Sequence, residues 1–232
     1  MSAGRCRVFA VCSLFMLLAV PARSHAEGLI NNLPADGSWV IFRAKSELDI
    51  QGNLQSFDRE LKLSSVGKKD VEGEPGRWIE ISTEFFGRKV QAKFLIAEKY
   101  FKPGQNPFDH IAKAWMIGRE GELQEIPENR LRQMMIFALA VPYFDKPEKK
   151  EKEKVKTELG EYECERAKGI TELDGLMDTK VKLEGELWTH DKVPFGLVKA
   201  KIKGDLGIGS IETELQAIKS GGDAKTELPE AK

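Results

Sequence analysis

Cysteine and histidine are scarce in this chain, with three of each among 232 residues. There is no HExxH motif, no histidine pair has metal-ligand spacing, and Cys164 has no second thiol near it in the sequence. We therefore expect no metal, no cofactor and no catalytic residue. A lone cysteine is more often a small buried apolar residue than a nucleophile, and this favours a structural role for Cys164.

Long hydrophobic runs are also lacking. The most apolar run, residues 8–20, has 13 residues, whereas a membrane-spanning helix needs about 20. It follows Arg5 and Arg7 and precedes Ser24-His25-Ala26, which supplies the small residues of a cleavage site, an order typical of a secretory signal peptide. We predict that residues 1–26 are removed and that the mature chain begins at Glu27. The protein is then periplasmic or extracellular, with no integral membrane segment.

Neither sign of charge dominates, since 36 Lys and Arg against 37 Asp and Glu give a formal net charge of −1. Such a chain has no electrostatic footprint for nucleic acid, which we exclude as a partner. Cys6 and Cys12 lie within the predicted signal peptide, so the mature chain cannot form an internal disulfide. Its fold must be held by an apolar core, for which the length is sufficient.

Apolar and polar residues alternate over much of the chain on both sides of its middle. Within residues 78–85, Ile79 and Ile81 share one face, and Glu80 and Glu84 share the other. Alternation of this kind predicts antiparallel strands with one buried face and one solvated face. We expect about eight or nine strands and interpret Glu80 as a residue of the solvated face.

The middle of the chain, about residues 106–141, changes to helical spacing. Apolar residues recur at helical intervals after Asn106-Pro107 and again after Pro127, and proline is favoured in the first turn of a helix. Those of the first segment are Phe108, Ile111, Ala112 and Trp115, and those of the second include Leu131, Met134, Met135 and Ala138. The spacing predicts a helical pair inserted between the fourth and fifth strands.

The chain ends in a tail, SGGDAKTELPEAK, whose composition is typical of disorder. We accordingly predict a single β-rich domain over residues 27–219 and a disordered tail over residues 220–232. The charged run at residues 145–158 is interpreted as a solvated loop or an exposed strand edge, with a charged docking site as the alternative.

One hairpin carries a resemblance to known proteins. Leu187-Trp188, followed by Val193-Pro194-Phe195-Gly196-Leu197-Val198-Lys199, resembles the late hairpin of secreted bacterial half-barrel proteins of the LolA/LppX-type lipoprotein-carrier superfamily. The resemblance implies a mostly β (α+β) fold, in which a curved antiparallel sheet, or half-barrel, holds the helical pair on its concave face. It transfers no functional residue, and the missing lipid-attachment cysteine favours a soluble form.

Two functions follow as hypotheses. The first is a secreted or periplasmic, non-enzymatic protein that binds a hydrophobic ligand, such as a lipid, an acyl chain or a lipidated peptide. Methionine suits a wall that adapts to varied guests, and the predicted lining is Trp115, Leu131, Met134, Met135 and Ala138. The alternative is a structural or protein-interaction module of the cell envelope, with another envelope protein as its partner and no small-molecule ligand.

Overall fold

A computed structural model describes residues 28–85, 87–102, 105–118, 121–127, 143–144, 147–149, 152–174, 180–207 and 209–228. The predicted signal peptide and its cleavage site lie outside these residues, so both stay predictions. Within the described ranges the chain forms twelve strands and two short 3-10 helices. None of the described helices is long and apolar enough to cross a bilayer.

The strands are β1 (Trp39–Ile50), β2 (Asn53–Val71), β3 (Glu74–Phe85), β4 (Arg88–Ala97), β5 (Ile111–Ile117), β6 (Leu123–Glu125), β7 (Glu148–Lys149), β8 (Glu153–Lys156), β9 (Glu161–Asp174), β10 (Lys180–Thr189), β11 (Leu197–Asp205) and β12 (Gly209–Gly221). The 3-10 helices are Glu98–Tyr100 and Pro107–His110. All strand pairs are antiparallel, in the order β6-β5-β4-β3-β2-β1-β12-β11-β10-β9-β7, and β8 also pairs with β9. The sheet thus has two sequential halves, β1–β6 and β7–β12, that meet where the first strand pairs with the last.

Tight turns explain why β1, β2 and β3 follow one another as hairpins. Gln51-Gly52 and Glu72-Gly73 both have positive φ at each residue, between 53° and 84°, as two-residue hairpin turns of matching twist require. Asp49 and Asp70 each accept a hydrogen bond of 2.8 Å from the backbone N–H of the turn glycine. The same local sequence device therefore closes both hairpins.

The apolar core lies on one face of the sheet, which we call the inner face. Cross-strand register forms two rows of core residues, Ala217, Phe42, Leu61 and Thr83 in one and Val40, Leu63, Ile81 and Ala92 in the next. All eight are buried. The inward direction of Ile81 that the alternation predicts is therefore confirmed.

The predicted helical pair is wrong. Asn106 caps a helical turn, because its side chain accepts a hydrogen bond from Phe108 N, but the turn is the four-residue 3-10 helix alone. The chain then extends as β5, in which Trp115 lies opposite Lys93 of β4. Pairing with the open edge of β4 overrides a weak local preference for helix.

The fold class is corrected accordingly. The second predicted helix falls on residues outside the described ranges, and the described part of the chain holds no helix longer than four residues. In place of an α+β half-barrel with eight or nine strands, the protein has a nearly all-β, open antiparallel sheet with twelve described strands.

Residues 222–228, which we call the strap, lie across the opposite or outer face of the sheet. Trp39 Nε1 donates to Asp223 at 2.8 Å, and Ala224 N donates to the carbonyl oxygen of Gly37 at 2.8 Å. Leu228, at the far end, is only 2% exposed. Composition predicts disorder for this segment, but specific partners on β1 to β4 hold it in place.

Candidate functional site

A slot on the inner face is formed by two glycines. Gly169 of β9 and Gly185 of β10 are opposite one another in register. A Cβ atom built on either glycine would come within 2.5 Å of the ring of Phe144, which is 1% exposed. The ring therefore occupies space that two neighbouring strands leave free of side chains.

Small residues continue around this slot. Leu187 lies between Ala167 and Ala200 in register, and Ile202 lies opposite Gly185. Large and small side chains therefore alternate on this part of the inner face. It differs from the inner face of β1 to β4, where Phe42, Leu61, Leu63 and Ile79 fill the core with bulky groups.

The five residues predicted to line a hydrophobic site are only partly described. Trp115 lies on the outer face, in one cross-strand row with Glu80 and Lys93, and not on the inner face. Leu131, Met134, Met135 and Ala138 lie outside the described residues. The set as a whole therefore stays a prediction.

Trp115 instead lines a cleft on the outer face, which we call the outer cleft. Its volume is about 780 Å³. It is lined by Asp36, Gly37, Val66, Gly67, Lys68, Lys69, Trp78, Lys93, Lys113, Trp115, Glu125, Ala224, Lys225 and Thr226. The strap supplies one wall, and the rest comes from strands β2 to β6 and from Asp36 and Gly37 before β1.

Lys93 is the buried cation of this cleft, with 7% of its surface exposed. Its Nζ lies 4.9 Å from the ring centroid of Trp78 and 3.6 Å from Glu80 Oε1, and it donates to Thr226 Oγ1 at 3.0 Å. A buried ammonium is costly unless it is paired and hydrogen-bonded. The strap supplies the hydrogen-bond acceptor of Lys93, and β3 supplies its carboxylate and its aromatic ring.

The interpretation of Glu80 as a solvated residue is wrong, because Glu80 is only 6% exposed. Its carboxylate accepts a hydrogen bond from Glu227 N at 2.9 Å and another from the Thr226 hydroxyl, besides its ion pair with Lys93. Alternation correctly predicted the face of the sheet on which Glu80 lies. The alternation of residues in β3 could not predict that the strap, far away in the sequence, covers that face.

The strap brings its own carboxylate to the same face. Glu227 accepts hydrogen bonds from Lys62 Nζ at 2.6 Å, Lys89 Nζ at 3.1 Å and Gln91 Nε2 at 3.0 Å. The hydrogen bond from Lys62, opposed in part by burial and reinforced by Lys89, lowers the pKa of Glu227. Three donors, one on β2 and two on β4, thus form a carboxylate-binding site that sequence periodicity did not predict.

Cys164 has the environment of a structural residue. It is fully buried, and burial, with a smaller contribution from the charge of Glu153, raises the pKa of its thiol to about 11. The thiolate, which is the nucleophilic form, is then scarce at neutral pH. Within the described ranges, no group of three or more His, Cys, Asp and Glu residues is placed to hold a metal ion.

The hairpin that carries the family resemblance anchors the start of the domain. Phe195 is fully buried and has a φ of 66°, and Gly196 follows with 83°. The Phe195 carbonyl oxygen accepts a hydrogen bond from Asn31 N at 2.8 Å. A Cβ on Gly196 would lie 3.1 Å from Asn31 Cβ, so this position favours glycine for both conformation and space.

No protein-family model and no curated protein matches the chain, whereas several solved structures are similar. One is described as an exported protein with a YmcC-like fold from Bacteroides fragilis, with 10% identity, a TM-score of 0.42, and coverage of 83% of this chain and 99% of that one. A DUF1329 family protein from Desulfovibrio piger has 8% identity, a TM-score of 0.35, and coverage of 83% and 88%. An outer membrane lipoprotein-sorting protein domain from Vibrio parahaemolyticus has 12% identity, a TM-score of 0.30, and coverage of 85% and 89%.

One of these neighbours is a lipoprotein-sorting domain. All three TM-scores are below 0.5. These structural neighbours therefore carry no argument about what the protein binds. That question depends on the residues of the chain itself.

Proposed function

We propose that the protein is an exported, non-catalytic binding protein of the cell envelope that holds a hydrophobic ligand on the inner face of its sheet. The observation that carries the proposal is the slot formed by Gly169 and Gly185, which the ring of Phe144 fills. Export is supported by the signal-type pattern of residues 1–26.

The glycine pair is informative because glycine in the interior of a strand weakens it. Two glycines directly opposite one another favour a close approach by another group to the backbone of the sheet. That group here is the aromatic ring of Phe144, which lies between β6 and β7 in the chain and not on β9 or β10. An acyl chain that displaces the ring would meet the same apolar surface, with Ile202 beside it.

Binding of a fluorescent fatty acid to the mature protein tests the proposal, together with native mass spectrometry of protein purified from its own host. We expect the wild type to bind the probe and to retain a lipid. Phe144→Ala should raise the affinity for the probe several-fold, because it empties the slot. Phe144→Leu keeps more of the apolar volume and serves as a variant that is less exposed to unfolding.

The matched control is Lys201→Ala on the outer face, where the side chain is 53% exposed and pairs with Glu214. It should leave uptake of the probe unchanged. If folded wild type and both Phe144 variants bind no probe and retain no lipid, the hydrophobic-ligand function is wrong.

A protein-interaction module is the second candidate, and one observation favours it. Two short strands pair with β9, which runs on to Asp174. Strand β7 pairs with residues 167–168 and β8 with residues 161–164. Ile170, on the remaining part of β9, is 57% exposed. A photocrosslinker at Ile170 that captures the same envelope protein in intact cells, with none captured from Leu54, would support this function.

A further inference from the structure

The outer cleft combines indole rings with a cation. Trp78 and Trp115 both line it, and the buried Lys93 lies between them in the sheet, in register with Trp115 and beside Trp78. The indole N–H of Trp115 is buried and has no acceptor among the described residues. Two ring faces and an unused donor are features of a ligand site rather than of a filled core.

The cleft also has more positive charge than its surroundings neutralise. Lys68, Lys69 and Lys113 on its strands and Lys225 on the strap have no ion-pair partner among the described residues. On β11, by contrast, Lys199, Lys201 and Lys203 all pair with glutamates of β12. A cleft with surplus cations in a chain of net charge −1 favours an anionic ligand.

An acceptor accompanies these cations. Glu125 lies opposite Trp115 in register, is exposed and has no ion-pair partner in the described part of the chain. A simple anion has no hydrogen to donate to a carboxylate, whereas a hydroxylated ring has several.

We infer that the outer cleft binds a negatively charged saccharide. Its rings would stack on Trp78 and Trp115, its carboxylates would pair with the free lysines, and its hydroxyl groups would donate to Glu125. The volume of about 780 Å³ lies within the range of small-molecule sites, roughly 300–1,000 Å³.

The strap already shows the carboxylate half of this chemistry. Glu227 is bound to the outer face by two lysines and a glutamine, next to the cleft wall formed by Ala224 to Thr226. The chain therefore holds one carboxylate of its own on this face. The cleft offers the same donor type, with aromatic rings added, to a carboxylate that comes from outside.

Isothermal titration of the mature protein with trigalacturonate is the test, with maltotriose as the uncharged saccharide and citrate as the carboxylate without a sugar ring. We expect binding of trigalacturonate only, weakening as salt rises because the lysines are exposed. This site lies on the face opposite the proposed hydrophobic site, so a failure of either leaves the other standing.

Variants distinguish the cleft from the rest of the surface. The double change Lys68→Glu and Lys113→Glu should weaken trigalacturonate binding at least about tenfold, since charge-assisted hydrogen bonds are lost. Both side chains are exposed, so the fold should be retained. Trp115→Ala should weaken binding by a similar factor through lost stacking. Lys219→Glu, with an exposed lysine of β12 outside the cleft, should change affinity less than about twofold.

The remaining outcomes decide the assignment. If citrate binds as tightly as trigalacturonate, a sugar ring is not required for binding. If maltotriose binds as tightly, negative charge is not required. Either result overturns the inference. So does binding of a single-stranded oligothymidylate in place of the saccharide. Folded wild type that binds no trigalacturonate at millimolar concentration overturns it as well.

Discussion

The two halves of the outer face contain the same kinds of residue in opposite surroundings. On β3 and β4, Glu80 and Lys93 form an ion pair in which each side chain is 8% exposed, beneath the strap. On β11 and β12, Lys203 and Glu212 form a 2.7 Å ion pair with side chains 69% and 58% exposed. Both pairs occupy the polar positions of strands in which polar and apolar residues alternate. Only the Lys203–Glu212 pair is screened by water.

This difference shows that alternation fixes the face of a residue but not its burial. Lys–Glu pairs in water contribute about 0–1 kcal/mol, whereas a buried pair becomes costly to break. The strap, a segment of seven residues, covers the Glu80–Lys93 pair and so makes it a buried pair instead of a solvated one.

Replacement of Glu80 by Ala is expected to have the largest effect. It leaves Lys93 buried without its carboxylate and removes the acceptor of the Thr226 hydroxyl and Glu227 N. We expect a loss of about 3–5 kcal/mol in the free energy of unfolding, measured by urea denaturation. A loss below about 0.5 kcal/mol would mean that the strap does not cover this face in solution.

Leu228→Ala tests the strap through its apolar end. Leu228 is 2% exposed, and the space left around it, bordered by Ser64, Ser82 and Gln91, is only about 10 Å³. Removing this side chain should cost about 1.5–3 kcal/mol, again by urea denaturation. Trp39, whose indole donates to Asp223, should show a red-shifted fluorescence if the strap is released.

Glu227→Gln adds pH to the comparison. The pKa of Glu227 is lowered, chiefly by the hydrogen bond from Lys62. Its stabilising contribution is therefore fully present above the ordinary carboxylate pKa, about 4.3, and is lost as the pH falls through the lowered value. The stability difference between wild type and variant should be constant from pH 5 to 7 and shrink below about pH 4. Because the side chain is 36% exposed, that difference should not exceed about 1 kcal/mol.

Glu212→Ala, on the open half, should have the smallest effect. Its partner Lys203 stays in water when the carboxylate is removed, so the free energy of unfolding should change by less than about 0.5 kcal/mol. A loss comparable to that of Glu80→Ala would remove the distinction between the two halves.

Strand positions were largely predictable because their signal is local. Ile79 and Ile81 point inward as their period of two requires, and the glycine at position 52 closes a turn. Helical spacing over Phe108 to Trp115 failed as a predictor because a short segment beside a free strand edge gains more from backbone pairing than from its own helix.

The outer cleft was not predictable from sequence periodicity. It joins Trp78, Trp115 and Thr226, and the strap wall is separated from β3 by more than half of the chain. Likewise, nothing around Gly169 and Gly185 in the sequence names Phe144 as their partner. Contacts of this range depend on strand order, which single-sequence patterns do not encode.

The pairing of β1 with β12 governs the order in which the molecule can be assembled. Among the described strands, every other pair joins segments that are near in sequence, whereas β1 and β12 pair from Trp39 opposite Gly221 to Ile50 opposite Gly209, and we call this pairing the central seam. Contacts between such distant residues slow folding, and the seam cannot form until the last strand has been synthesised. Until then β1 and β11 are both open edges backed by apolar side chains, which favours aggregation. A chain shortened before β12 would keep that liability permanently.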